Sequence, residues 1–385
     1  MPTPNKDYRE NPDRAVYVMG KITQQMVHDL TPKINLLRNS SAEPITVYID
    51  SPGGNIALAE AIRCLVTSPT QDGNQCRLIT VVTGTAASAA ADFLALGDYS
   101  IAHRHAEIIY HGSRQSWDYE LTFEWASMLA ANLQAANERF ALRLARCSFP
   151  RLIWRVVQFK ETFAAYRNGT GEFSQLIGAL EEQFLPSNRI LLKEAFAKQG
   201  IIANLRSSVA KHLKRFRKLD LLSQSQFEAE LLKAIITYRA QVHKTDGWLF
   251  SKTGMQEIVN DFGLLHDFYY GSQTRDLDSF VTVFGLLFLS TEQQTELRGK
   301  SGPERDKYLK DHASKKLQPL WYFVVSLCRL LQTKDYQLTP QEAYWMGVVD
   351  EVPGSGLVND REMIENLPRE EVDSTPKPAE DRGRT

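Results

Sequence analysis

The chain has 385 residues, of which 43% are hydrophobic and 24% are charged, and its formal net charge is −1. This composition is typical of a globular protein, and the near-zero charge gives no indication of binding to nucleic acid or to an anionic membrane. The length exceeds what one small hydrophobic core needs, so the sequence predicts either one large domain with an insertion or two domains.

The chain begins with polar residues and several prolines. Segment 1–12 is therefore predicted to be a flexible N-terminal arm, without the apolar stretch of a secretory signal. The longest uncharged apolar run, Phe280–Leu289, is too short to cross a bilayer. The four cysteines show no C-x-x-C spacing, which indicates reduced thiols and a cytoplasmic protein. No cofactor or metal site is expected, because the closely spaced His103 and His105 have no carboxylate or cysteine at ligand spacing.

Strands and helices alternate from residue 13 onwards. Val16–Met19 and Ile45–Asp50 are predicted strands, and each is followed by a predicted helix. Such alternation favours parallel strands with crossover helices. The segment Ser51–Asn55 closes the second strand, where Pro52 fixes one φ angle and two glycines permit conformations that other residues avoid. A Gly-Gly turn at a strand end is most often only a turn, but it can also offer a free backbone N–H to an oxyanion.

A serine stands at the next junction between a strand and a helix. The apolar run Leu78–Val82 leads into Gly84–Ala91, which contains Ser88, and an apolar helix follows. A serine on such a turn can expose its hydroxyl among outward-pointing backbone N–H groups, and its small neighbours let another backbone approach closely. Alone, the motif more often marks a helix start that is packed tightly against a sheet.

Two further segments carry polar residues at strand ends. The apolar strand that begins at Ala106 ends in His111. Far downstream, Asp335 precedes a helix for which Thr339 is the predicted N-cap, with Glu342 in the capping-box position.

These segments, in this order, resemble the Clp protease proteolytic subunit, a family of the Clp/crotonase superfamily. The matching residues are Arg14–Gly20, YIDSPGG at Tyr48–Gly54, GTAASAAA at Gly84–Ala91, the strand that ends at His111, and D-x-x-L-T-x-x-E-A-x-x-x-G-x-V-D at Asp335–Asp350. The resemblance implies an α/β fold with a Clp/crotonase-type spiral ββα core, formed by 13–147 and by the returning segment 319–352. Residues 148–318 lack the family pattern and predict a large, mostly α-helical insertion. Residues 353–385 are predicted to be a disordered tail.

The resemblance also implies a serine endopeptidase with a Ser-His-Asp triad. Ser88 would be the nucleophile, His111 the base that takes its proton, and Asp335 the acid that orients the imidazole. The backbone N–H groups of Gly54 and Ala89 would form the oxyanion hole. The substrates implied by this resemblance are peptides or proteins.

A homo-oligomeric ring is the assembly that the resemblance implies. The amphipathic stretch Leu121–Ala145 lies where the family has a helix that joins subunits. The family's axial loops, which contact an AAA+ ATPase, occupy a longer N-terminal region than 1–12, and this argues against the usual ATPase partner. No nucleic acid or membrane partner is expected, since the basic cluster Lys211–Lys218 is more typical of a solvated helix face.

The insertion shows helical spacing of apolar residues in the stretches Phe173–Gln183, Asn188–Lys198, Ala203–Phe216, Ser223–His243 and Gly254–Phe268. They predict an independently packed helical module that controls access or recruits partners and supplies no triad residue.

Three other functions stay open at this point. A catalytically silent scaffold, whose insertion recruits partners, is compatible with the same residues. A crotonase-related hydrolase or CoA-thioester enzyme would use the same paired N–H groups, although the complete Ser-His-Asp set argues against it. A signal-peptide-peptidase-like enzyme would need a membrane segment, for which the sequence gives no candidate.

Overall fold

The computed structural model describes residues 8–70, 72–73, 75–114, 122–213 and 272–359. Its strands are β1 (Ala15–Met19), β2 (Ile45–Ser51), β3 (Leu78–Ala87), β4 (Tyr99–Ala102), β5 (Glu107–Tyr110), β6 (Tyr336–Leu338), β7 (Glu351–Val352) and β8 (Leu357–Val358). Its helices are α1 (Gln24–Ser40), α2 (Ile56–Thr67), α3 (Ala89–Ala95), α4 (Phe123–Gln158), α5 (Lys160–Asn168), α6 (Phe173–Glu181), α7 (Pro186–Leu213), α8 (Ser272–Phe284), α9 (Thr291–Arg298), α10 (Gly302–Leu331) and α11 (Pro340–Trp345).

Some predicted elements cannot be compared with these bounds. The predicted helices at Ser223–His243 and Gly254–Phe268 lie outside the described residues, as do 1–7 of the arm and 360–385 of the tail. The two helices predicted from Asn188 onwards form one continuous helix, α7.

A mixed sheet of eight strands forms the centre of the described part of the chain, with the order β1-β2-β3-β4-β7-β8 and with β5 and β6 branching from β3. The strand β3 is ten residues long, and it pairs with two different strands along its length. Its residues Ile79–Val82 pair in parallel with β4, and Thr85–Ala87 pair in parallel with β5. Because the partner changes along one strand, the sheet turns at this point, as a spiral core requires.

The helix α11 begins with the predicted capping box. The N–H of Glu342 donates to Thr339 Oγ1 at 3.2 Å, and the N–H of Thr339 donates to Glu342 Oε2 at 2.8 Å. The other oxygen of the same carboxylate accepts the N–H of Leu185 at 2.9 Å and an N–H of Asn188 at 3.1 Å. One buried carboxylate therefore caps a core helix and also fixes the connection between α6 and α7.

The insertion is continuous with the core rather than packed as a separate module. Helices α4 and α10 run without a break through the predicted boundaries at 147/148 and 318/319. Pro150 cannot donate a backbone hydrogen bond, but α4 continues past it. The apolar faces of both helices are long enough to reach the sheet layer and the other insertion helices at once.

One cluster of buried apolar side chains reflects this continuity. It includes Val47 of the sheet, Phe149 of α4 and Trp321 of α10. The rings of Phe149 and Trp321 meet edge to face, with centroids 5.1 Å apart. The two long helices thus share their core with the sheet, and the expectation of independent packing does not match the structure.

The N-terminal arm is packed from Tyr8 onwards. Tyr8 is buried, and its ring stacks on that of Tyr99 with centroids 5.1 Å apart. The guanidinium of Arg9 donates to Glu351 at 3.1 Å. These contacts cover the surface of the sheet near β4 and β7, which explains why residues 8–12 are not the loose arm that the composition predicts.

Arg151 ties α4 to the helix that follows Ser88. Its guanidinium lies 3.0 Å from Asp350, and the side chains of Arg151 and Asp350 are only 3% and 0% exposed. The same group donates to the carbonyls of Ala95 at 2.9 Å and Gly97 at 2.6 Å, at the C-terminal end of α3. The buried cation therefore satisfies a buried anion and two backbone acceptors together.

We predict that Arg151→Met lowers the free energy of unfolding by about 3–5 kcal/mol, because Asp350 then stays buried without its partner. Urea denaturation followed by circular dichroism measures this change. Lys310→Met is the matched control, because it removes an ion pair with Asp278 whose side chains are 60% and 41% exposed. The control should cost at most about 1 kcal/mol. Equal losses in the two variants would contradict the importance of the buried pair.

Candidate active site

Ser88 occupies a strained turn between β3 and α3. Its φ of 56° and ψ of −127° make it, among the described residues, the one non-glycine residue with a positive φ. A backbone of this kind costs of order 1–3 kcal/mol and persists only where the surroundings hold it. Here the N–H of Ser88 donates to the carbonyl of Ile109 at 2.8 Å, and its carbonyl accepts from Ala91 at 2.9 Å. The serine is half-buried at the end of β3.

Parallel pairing brings His111 to the same edge of the sheet as Ser88. The last registered pair between β3 and β5 is Ala87 with Ile109. Ser88 follows the first of these residues directly, and His111 lies two positions beyond the second. Because both strands run in the same direction, both residues stand at the carboxyl end of the sheet.

Antiparallel pairing brings Asp335 to the same place. Tyr110 of β5 pairs with Tyr336 of β6. The ladder ends at this pair, and His111 directly follows Tyr110 while Asp335 directly precedes Tyr336, so the two residues leave the ladder at the same end. The three residues predicted as a triad therefore share one corner of the sheet, although Asp335 comes from the far side of the insertion.

The side chains of these residues do not bond to one another. His111 Nδ1 lies 2.7 Å from the carbonyl oxygen of Gly112. Asp335 instead forms an ion pair with Arg114, and the side chains of these two residues are 66% and 64% exposed. Within the described part of the chain, no hydrogen bond joins Ser88 to His111 or His111 to Asp335.

A carbonyl oxygen can only accept a hydrogen bond, so the contact with Gly112 requires a proton on His111 Nδ1. The neutral imidazole then has its lone pair on Nε2. The backbone thus selects the tautomer that a general base needs, without help from Asp335.

The Gly-Gly turn packs directly against Ser88. A Cβ on Gly53 would lie 2.4 Å from the carbonyl oxygen of Ala87 and 2.8 Å from Ser88 Cβ. Gly53 has a φ of +91° and Gly54 a φ of +151°. Two glycines are needed here, because the close approach excludes any side chain and the dihedrals disfavour one.

Gly54 and Ala89 both offer backbone N–H groups beside the serine. A bridge to Ile22 uses the carbonyl of Gly53, at 2.9 Å, and the N–H of Asn55, at 3.2 Å, and it leaves out the N–H of Gly54. Ala89 is the first residue of α3, so its N–H has no intrahelical acceptor. These are the donors predicted for an oxyanion hole, and they flank Ser88 from the two adjoining turns.

A small cleft of about 20 Å³, with room for about one water molecule, lies next to this turn. It lies between α2, α3 and α4, and it is lined by Ile56, Ala59, Glu60, Ala89, Asp92, Phe93, Leu96, Phe140, Arg143 and Leu144. Burial raises the pKa of Asp92 to about 7, although the positive charge of Arg143 opposes this shift. Burial would also raise the pKa of Glu60, but hydrogen bonds and charge from Arg63 and Arg143 lower it below its usual value.

Part of the chain resembles a known protein family. Residues 8–122 match the sequence model of the Clp protease family. This part of the chain is Clp protease-like. The match spans β1 to β5, includes Ser88 and His111, and ends before the long helix α4. No curated protein matches the chain.

The family match confirms the predicted Clp-type α/β core, and it supports a peptidase-like function at the level of the family. Asp335 and the insertion lie outside the matched range. None of the helices in the described ranges is long and apolar enough to cross a lipid bilayer. The same ranges contain no group of three or more His, Cys, Asp or Glu side chains placed to hold a metal ion.

Sequence reasoning did not single out Asp92, Arg143, Glu60 or Arg114. Of these four residues, only Asp92 could have been found from the sequence. It is an acidic residue within an otherwise apolar helix just after Ser88, and acidic residues are rare in packed positions. The others come from α2, α4 and the loop after His111, and only the folded chain brings them to this corner.

We predict that Gly53→Ala destabilises the protein much more than Gly73→Ala. Both glycines have positive φ angles, of +91° and +77°, but nothing lies within 4 Å of a Cβ on Gly73. The control should therefore cost only the backbone penalty, about 1–2 kcal/mol. Gly53→Ala must also displace the turn that carries Ser88, and thermal denaturation should show a clearly larger fall in Tm. A fall no larger than that of the control would contradict the tight contact with Ser88.

Proposed function

We propose that the protein is a serine peptidase that hydrolyses peptide bonds through an acyl-enzyme, with Ser88, His111 and Asp335 as its triad. The observation that carries the proposal is the meeting of these residues at one sheet corner, with Ser88 on a strained turn. Backbone strain of this kind concentrates at functional sites. A glycine would adopt the same turn without strain, so the serine at this position has no evident structural advantage.

In the first step, Ser88 Oγ attacks the carbonyl carbon of the substrate while His111 Nε2 takes the hydroxyl proton. The N–H groups of Gly54 and Ala89 stabilise the negative oxygen of the tetrahedral intermediate. The C–N bond then breaks, and the protonated imidazole gives its proton to the leaving amine. A water molecule then attacks the acyl-enzyme ester, with His111 again taking the proton, and this releases the carboxylic acid product and free Ser88.

The hydrogen bonding around His111 supports this sequence at its start. The neutral base already has its lone pair on Nε2, because Gly112 accepts from Nδ1. The imidazolium formed in the first step needs a negative partner more than the neutral ring does. Asp335 can take that role if it exchanges Arg114 for His111, and an exposed ion pair costs only about 0–1 kcal/mol to break.

A serine-directed fluorophosphonate tests the proposal. We predict that it labels the wild-type protein and does not label Ser88→Ala. His111→Ala should label at least about 100-fold more slowly, since a positioned general base contributes about 10²–10⁴-fold. The rate of adduct formation, followed by intact mass spectrometry, measures both effects. Ser113→Ala, in the loop just after His111, is the matched control and should label like the wild type.

A catalytically silent scaffold is the second candidate. The observation that favours it is the missing hydrogen bond between Ser88 and His111. Apo enzymes also show long or misaligned catalytic contacts, so this geometry is compatible with either function. Absence of labelling in the wild-type protein, or equal labelling of wild type and Ser88→Ala, would favour the scaffold and contradict the peptidase.

The proposed active form is a homo-oligomer. The first turns of α4 project from the body, and Phe123, Trp125 and Met128 are 81%, 53% and 49% exposed. Three large apolar side chains on one exposed helix segment are costly in a monomer and are typical of a contact surface. This segment lies where the family joins its subunits.

We predict that the wild-type protein is larger than its 43.7 kDa chain in solution and that Phe123→Glu with Trp125→Glu dissociates it. Charges at these positions would be desolvated in an interface, which opposes assembly. Analytical ultracentrifugation at micromolar concentration measures the mass. Leu185→Glu, at an exposed apolar residue away from α4, is the control and should leave the mass unchanged. A wild-type protein that sediments only as a monomer would contradict the prediction.

A further inference from the structure

The loop after His111 passes close to two long helices. A Cβ on Gly112 would lie 2.5 Å from the backbone carbonyl oxygen of Gln332, which follows the last residue of α10, and 3.1 Å from Asn137 Nδ2 of α4. These distances leave no room for a side chain larger than that of glycine. The position of the loop is therefore set by the two helices that contact it.

Asn137 also supplies the hydrogen bond that anchors the loop. Its Oδ1 accepts the backbone N–H of Ser113 at 2.7 Å. Because a backbone N–H can only donate, the side-chain amide must present its oxygen, and not its nitrogen, to this group. Asn137 lies in the middle of α4 and is half-buried. The loop is thus bound to a helix rather than to another loop.

The two helices are tied together at the same level. Arg329 lies one turn before the end of α10, and its Nε donates to the two carboxylate oxygens of Glu138 at 3.2 and 3.1 Å. The side chains of Arg329 and Glu138 are 14% and 31% exposed, so solvent screens this pair only in part. Glu138 directly follows Asn137. Asn137 therefore stands on a part of α4 whose position relative to α10 is fixed.

One peptide group connects Asn137 to His111. The N–H of Ser113 and the carbonyl of Gly112 belong to the same peptide unit, which is planar and trans. Its N–H donates to Asn137 Oδ1, and its carbonyl oxygen, on the opposite side, accepts from His111 Nδ1 at 2.7 Å. Fixing the direction of the N–H therefore fixes the direction of the carbonyl. A hydrogen bond at one end of an amide also strengthens the bond at its other end.

We propose that Asn137 is a positioning residue for His111: it orients this peptide group, which in turn holds the imidazole with its proton on Nδ1 and its lone pair on Nε2. The assignment rests on the peptidase function proposed above and adds a residue to it. In a Ser-His-Asp triad the acid performs this task. Here Asp335 is paired with Arg114, so Asn137 performs the task until the acid changes its partner.

The tautomer of His111 tests the assignment directly. In protein labelled with ¹⁵N-histidine, proton–nitrogen correlation spectra show which nitrogen of the neutral ring carries the proton, and comparison with His111→Ala identifies the signals. We expect the proton on Nδ1 in the wild type and in Asn137→Asp, whose carboxylate accepts the same N–H. In Asn137→Ala the proton should be shared between both nitrogens, because the carbonyl is no longer held in place.

Fluorophosphonate labelling of Ser88 measures the effect on the reaction. Asn137→Ala should label at least about tenfold more slowly, since misplacing a catalytic group by about 1 Å can cost about 10²-fold in rate. Asn137→Asp should label at close to the wild-type rate. Asn132→Ala is the matched control, because Asn132 is an exposed asparagine earlier on α4, and it should label like the wild type.

A wild-type His111 with its proton on Nε2 overturns the assignment, whether or not any variant folds. An unchanged tautomer in Asn137→Ala overturns it as well, and so does an unchanged labelling rate when the wild type is reactive. An equal loss in Asn137→Asp and Asn137→Ala would show that the accepting oxygen is not what matters, and it also overturns the assignment. A wild-type protein that is not labelled overturns the peptidase function, whereas the spectra still decide whether Asn137 positions His111.

Discussion

The division of β3 between two partners is the constraint on which the rest of the molecule depends. Its first half pairs with β4, and its last residues pair with β5. Only because β5 joins at the end of β3 does the strand that leads to His111 finish beside Ser88. β6 then adds to β5, so Asp335 reaches the same corner after an excursion through the whole insertion. The candidate site is thus a consequence of strand register.

The parts of this arrangement that depend on local chemistry could be predicted from sequence. Pro52 and two glycines predict a turn at a strand end, and the small residues around Ser88 indicate that another stretch of backbone packs closely against it. The capping box at Thr339 is equally local, and it begins the helix where expected. The parts that depend on packing could not be predicted. Helical spacing reports that α4 and α10 are helices, but it does not report that their apolar faces also cover the sheet.

The same distinction applies to the electrostatics of the site. The family resemblance implies that His111 and Asp335 form a pair, but the sequence cannot reveal that Gly112 and Arg114 compete for them. The two contacts differ in kind. The carbonyl of Gly112 is attached to the next residue and is always present, whereas Arg114 is an exposed and easily screened partner. Salt would therefore weaken the contact that holds Asp335 away from the imidazole and leave the tautomer of His111 unaffected.

The long helix α4 has a mechanical consequence. It contains 36 residues, which corresponds to a rod about 54 Å long. At its N-terminal end, Phe123 is exposed to solvent. In its middle, Asn137 accepts the N–H of Ser113 at 2.7 Å. Towards its C-terminal end, Arg151 donates to the last turn of α3. A partner that bound the exposed first turns would therefore hold the same helix that contacts the loop after His111 and the helix that begins at Ser88.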